Sequence, residues 1–146
     1  MPTAVNELVG HAKRSLDASI EKVAGDVIVP FGRLDMMVQY AADAFERRGL
    51  DYAIWGHISD GNLHPNVIPH SVSDLRAGKE AILELGREVT RLGGCPLAEH
   101  GVGRNPVKQA LLQQLYGNAG IEEMRAVKRA LDPEWKLAPG VLFTQE

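Results

Sequence analysis

The sequence predicts an α+β fold of ferredoxin-like type: an antiparallel sheet with helices on one face, followed by a helical carboxy-terminal segment. Three observations lead there. β-type runs and amphipathic helical stripes follow one another in the order strand, helix, strand, strand, helix. The two adjacent strand runs flank the turn signature Asp60-Gly61, and from Gly93 the chain turns glycine-rich and then helical. Residues 1–96 are expected to form the partial ferredoxin-like unit and residues 97–146 a segment that leaves it.

Taken in order, residues 4–24 put Val5, Leu8, Val9, Ala12, Leu16, Ile20 and Val23 on one helical stripe, with Thr3 as the cap. Asp26-Val27-Ile28-Val29 is a short strand closed by Pro30. A second helix carries Leu34, Met37, Ala41 and Phe45 on one face and ends near Gly49. Tyr52 to His57 and Leu63 to Ile68 are the two arms of a hairpin, and Pro65 predicts that the second arm is at an edge or bulged. After a loop at residues 71–76, Ile82, Leu85, Val89 and Leu92 mark a helix over about 75–92. Gly93, Gly94, Gly101 and Gly103 predict a loop. Asn105 and Pro106 then cap and open a helix that Gly117 ends, and another runs from Ile121 to Leu131, acidic first and basic last. The tail from Trp135 to Phe143 is apolar without a clear period, so it is expected to dock on something.

Composition excludes several classes of function. A net charge of −3 gives no electrostatic footing on nucleic acid or anionic lipid, and three Phe, three Tyr and two Trp leave little to stack on bases. One cysteine, Cys95, allows neither an internal disulfide nor a thiolate zinc cage, and fits a reducing, cytoplasmic setting. No apolar run approaches the roughly 20 residues of a membrane span.

The chemistry is concentrated in Gly56-His57-Ile58-Ser59-Asp60-Gly61-Asn62-Leu63-His64 and in Glu99-His100-Gly101-Val102-Gly103. A two-residue type I′ turn at Asp60-Gly61 would pair His57 with His64 across the hairpin, with β-carbons roughly 5 Å apart. Two opposed imidazoles can share a metal ion, and the second segment adds a carboxylate and a third imidazole.

These motifs, together with Asp26-Val27-Ile28-Val29-Pro30 before a helix, Lys128 to Pro133, and Pro139-Gly140, resemble the carboxy-terminal region of FAD-linked 2-hydroxy acid dehydrogenases and oxidases of the vanillyl-alcohol oxidase superfamily. The group includes the D-lactate dehydrogenase, glycolate oxidase and D-2-hydroxyglutarate dehydrogenase types. The resemblance implies a cap portion whose residues 97–146 return to a flavin domain lying outside this chain, in a split subunit, a remnant or an expressed fragment. It implies His57, His64 and Glu99 as ligands of a divalent metal, zinc or manganese, with His100 as general base. Asn62, Pro139 and Gly140 would lie near the FAD, and Arg104 or Lys108 would hold the carboxylate of a small 2-hydroxy acid. The chemistry is coherent, because an imidazole takes the hydroxyl proton while hydride leaves the α-carbon for the flavin. Ser59 stands where the family usually has Gly, and Ala138 where it usually has Asn. The alternative is a non-catalytic metal-binding or oligomerising module of the same fold, its apolar tail covered by the chain itself or by a second copy in a homo-oligomer.

Overall fold

The hairpin arms and the helical stripes assemble around one strand. In a computed structural model, which describes residues 2–143, the elements are helix α1 (Pro2–Ser15), strands β1 (Val23–Ala24) and β2 (Val27–Ile28), helix α2 (Leu34–Glu46), strands β3 (Tyr52–His57) and β4 (Asn62–Val67), and helices α3 (Val72–Arg91) and α4 (Pro106–Leu131). β4 is central: it pairs antiparallel with β3 on one side and with β1 and β2 on the other.

Val23 pairs with Val67, Ala24 with Asn66, Val27 with Leu63 and Ile28 with Asn62. This single register makes β1 and β2 one strand, interrupted opposite Pro65. The Gly25 N–H donates to the Pro65 carbonyl at 2.8 Å, but Pro65 has no N–H to return, so the ladder opens for two residues. Pro65 therefore does not mark an edge or a bulge. It lies fully buried in the central strand, and the neighbouring strand absorbs the missing bond. The neighbour must be glycine there, since a β-carbon on Gly25 would lie 2.9 Å from Pro65 Cγ.

The glycine-rich segment is not wholly loop. Cys95 and Ile28 exchange backbone hydrogen bonds of 2.8 and 2.9 Å, and the Ala98 N–H donates to the Asp26 carbonyl at 3.0 Å. With β1–β2 counted as the first strand and residues 95–98 as the fourth, the spatial order is 4-1-3-2, the ferredoxin-like arrangement of a βαββαβ chain.

Alternation along β4 sends Leu63 and Val67 to one face of the sheet. There they join Met37 and Phe45 of α2 and Ile82 and Leu85 of α3 in the main core. α2 and α3 thus cover one face as expected, with Leu34, Met37, Ala41 and Phe45 all buried. α1 does not share it: Val5, Val9 and Ala12 pack with Ile20, Ile68, Ala53 and Trp55 on the opposite face.

Several boundaries differ from the periodicity. α1 starts at Pro2, so Thr3 lies within it rather than capping it, and it stops at Ser15. Asp17 captures the Ser19 N–H at 2.7 Å and the Ser19 hydroxyl at 2.6 Å, a local bond that competes with helix continuation and releases Ile20 and Val23. α3 begins at Val72, earlier than expected, because Ser71 Oγ accepts from the Asp74 N–H at 3.0 Å. Asn105 Oδ1 caps α4 by accepting from Val107 and Lys108. Gly117, at φ 66° and ψ −179°, breaks the run where a terminator was expected. The tail docks in part on the chain itself, where Phe143 clusters with Val102, Leu112 and Ile121. Among the described residues no helix is long and apolar enough to cross a membrane.

Candidate functional site

The motif residues sit where the hairpin end meets the segment after Ala98. The turn is wider than a type I′ hairpin. Ile58–Asp60 form a 3₁₀ turn closed by Gly61, which adopts φ 71° and leaves no room for a β-carbon, which would lie 2.2 Å from the Val29 carbonyl oxygen. His57 therefore pairs with Asn62, and His64 with Trp55. The register differs by two residues from the direct pairing of His57 with His64. Because side chains alternate with period two, both histidines still project from the same face. They meet diagonally, with ring centroids 5.7 Å apart and nearly perpendicular.

Glu99 completes the arrangement. Its Oε1 lies 3.1 Å from His64 Nε2, 3.3 Å from His100 Nε2 and 3.8 Å from His57 Nε2. Ligand atoms bound to one tetrahedral ion at about 2.0–2.1 Å lie about 3.3 Å apart; the His64 and His100 contacts of Glu99 are of that size, and the His57 contact is longer. His100 stacks on His64 at 4.9 Å with an interplanar angle of 16°. The tightest group comprises Asp26, His64, Glu99 and His100, whose ligand atoms all lie within 4.8 Å of one another. His57 reaches that group at Glu99.

Asp26 was not among the residues singled out from the motifs. It is 2% exposed; its Oδ2 accepts the N–H of Glu99 at 2.8 Å and of His100 at 2.6 Å, and its Oδ1 accepts from Asn62 Nδ2 at 3.1 Å. Burial pushes its carboxyl up, but the hydrogen bonds from His100, Glu99 and Asn62, with the nearby His100 imidazole, outweigh burial and hold it below the ordinary aspartate value. His64 moves below the ordinary histidine value. Burial is the main cause, His100 and His57 add to it, and Asp26 and Glu99 oppose it. The signal for Asp26 was one carboxylate opening an otherwise apolar buried strand run.

Asn62 is buried, and its amide donates to Asp26 and, at 3.3 Å, to the Val27 carbonyl, so it supports the cluster from beneath. Arg104 Nε donates to the Pro139 carbonyl at 2.8 Å, and Lys108 Nζ to the Gly101 carbonyl at 2.8 Å. Gln109 ties Gly103 to Gly140. Arg104, Pro139 and Gly140 thus form a loop assembly that starts a few residues beyond His100, while His57, His64, Glu99 and His100 converge directly.

Fold and site together define an α+β unit with a histidine–carboxylate cluster on the polar face of its sheet. The chain belongs to the family described as FAD linked oxidases, C-terminal domain, whose model matches residues 5–142. It is similar to the glycolate oxidase subunit GlcD of Bacillus subtilis, 31% identical over 123 residues, which are 83% of this chain and 26% of that protein. A probable mitochondrial D-lactate dehydrogenase of Danio rerio is 30% identical over 89% of this chain and 26% of its own length. A D-2-hydroxyglutarate dehydrogenase of Xanthomonas citri pv. viticola is 39% identical over 64% of this chain and 20% of its own. The chain spans a fifth to a quarter of the length of these relatives.

Proposed function

We propose that this chain is the substrate-side portion of an FAD-dependent oxidoreductase acting on a small 2-hydroxy acid of the lactate, glycolate or 2-hydroxyglutarate type, completed by a flavin-binding region outside the sequence given. The carrying observation is the convergence of three imidazole Nε2 atoms on one Glu99 oxygen. The family and the relatives' names support the substrate class.

In this reading His57, His64 and Glu99 hold a divalent cation, zinc or manganese. The cation supplies positive charge beside the substrate hydroxyl and carboxylate, and the flavin supplies the hydride acceptor. His100 accepts the hydroxyl proton at Nε2. Its side chain, 58% exposed, is open to substrate, and its stacking on His64 fixes the plane of the ring. Arg104 and Lys108, held by carbonyls of the loops around them, place positive charge for the substrate carboxylate; Pro139 and Gly140 belong to the flavin side, and Asn62, buried beneath the cluster, reaches the flavin only through the residues it supports.

Elemental analysis tests the metal: near-stoichiometric zinc or manganese in the wild type, lost in His64→Ala, is expected, and equally negligible metal in both proteins overturns it. Oxidation of D-lactate, glycolate or D-2-hydroxyglutarate with an artificial acceptor tests the activity. The chain joined to its flavin-binding region should turn over at least one of them, with a loss of about 10²-fold or more in His100→Ala. An unaffected rate would remove His100 as the base.

A further inference from the structure

We propose that Asp26 is the positioning residue of the cluster, setting the placement of the Glu99–His100 segment against the hairpin. The inference rests on the reading of these residues as the working site and adds a role for a side chain that touches neither substrate nor cation in that reading.

Glu99 and His100 follow the short fourth strand, whose last bond to the sheet is the Ala98 N–H on the Asp26 carbonyl. Beyond it the chain has no strand partner. The two following N–H groups instead converge on Asp26 Oδ2, at 2.8 and 2.6 Å. A buried carboxylate thus extends the ladder by two donors and aims the Glu99 and His100 side chains at the hairpin. Asn62, the first residue of β4, fixes the other oxygen at 3.1 Å, so the carboxylate itself is held on both sides.

The imidazoles themselves lie nearer to Glu99 than to Asp26. Nδ1 of His100 is 3.5 Å from Asp26 Oδ2 and Nδ1 of His64 is 3.7 Å from Asp26 Oδ1, whereas their Nε2 atoms are 3.3 and 3.1 Å from Glu99 Oε1. Asp26 therefore acts on the rings through the backbone it holds, by bringing Glu99 to them. Asp26→Asn would keep the shape but leave one acceptor oxygen where two are used.

Amide hydrogen exchange of the metal-free full chain reports how firmly the Glu99 and His100 N–H groups are held. Both are expected to be protected in the wild type, with protection falling about 10-fold in a folded Asp26→Asn. Titration with Zn²⁺ should show affinity falling about 10–100-fold in Asp26→Asn, with partial recovery in Asp26→Glu. Unprotected Glu99 and His100 amides in the wild type overturn the proposal even if the variant fails to fold, and so does unchanged protection together with unchanged Zn²⁺ affinity in a folded Asp26→Asn. If the wild type binds no Zn²⁺, the metal reading falls, and the exchange of the two amides alone then decides the role of Asp26.

Discussion

The two faces of β4 are built to different ends. Leu63, Pro65 and Val67 alternate with Asn62, His64 and Asn66, and all six are buried. The first face disappears into the core under α2 and α3. The second buries two amides and an imidazole and leaves Asn62 Oδ1, His64 Nδ1 and Asn66 Oδ1 without partners. An unpartnered buried polar atom costs about 1–3 kcal/mol, so a strand chosen for stability alone would carry apolar residues on that face as well. Burial is common to both faces; what separates them is whether the buried atoms are satisfied within the chain. The polar face gives up stability where the site's chemistry is assembled.

The largest effect should come from the apolar face. Leu63→Ala removes a side chain buried between the sheet and the helices, a change that costs about 2–5 kcal/mol. Urea unfolding should show that loss, while the protein that remains folded keeps the metal stoichiometry proposed above, because Leu63 points away from the cluster. A cost below 1 kcal/mol, or metal lost in step with stability, would erase the division between the faces.

The division was half legible in the sequence. Apolar spacing located α2, α3 and the hairpin arms because those stretches bury one consistent face, and the motifs located His57, His64, Glu99 and His100. Period alone could not find the end of α1, because Ile20 and Val23 continue the helical spacing after Asp17 has diverted the backbone. The turn at Asp60-Gly61 was recognised but its length was not, since the 3₁₀ turn uses the same residues as a type I′ hairpin. The site survived that error only because the register moved by two residues rather than one. The strand at 95–98 escaped because it depends on pairing between segments some 70 residues apart, which no local pattern encodes; Asp26 had a local signal, a carboxylate heading an apolar run, but its partners at Glu99 and His100 are as distant.

A smaller effect belongs to the far side of the apolar layer, where α2 and α3 are joined through Glu84. Its carboxylate accepts from Tyr40 at 2.9 Å and from Arg48 at 2.7 Å and also binds Arg47. Burial raises the Glu84 pKa, but the bonds from Arg48, Arg47 and Tyr40 prevail and bring it to about 2. A carboxylate depressed on folding stabilises the protein above its unfolded pKa and loses that contribution as pH falls. Glu84→Gln should therefore cost about 1–2 kcal/mol at pH 7, discounted for the partial exposure of the network. The gap from the wild type should close between about pH 4.5 and pH 2, the unfolded and folded values. A gap that stays constant across that window would show that the charge on Glu84 contributes nothing.

The smallest change in stability, and the sharpest test of the comparison, should come from the residue next to Leu63. His64→Leu replaces a buried imidazole whose Nδ1 is unpartnered with an apolar group of similar size, so unfolding at pH 7.5 in EDTA should change by no more than about 1 kcal/mol. The pH dependence has a definite sign. Burial chiefly, with His100 and His57, lowers the His64 pKa against the pull of Asp26 and Glu99, so the unfolded chain takes up a proton more readily than the folded one. The wild type accordingly loses stability as pH falls below the unfolded value of 6.5, and His64→Leu escapes that loss. At pH 5.5 the variant should stand higher relative to the wild type than at pH 7.5, while the metal binding proposed above is abolished at either pH. If the substitution instead costs 3 kcal/mol or more at pH 7.5 in EDTA, His64 is a structural residue, and the polar face of β4 is held together by the same logic as the apolar one.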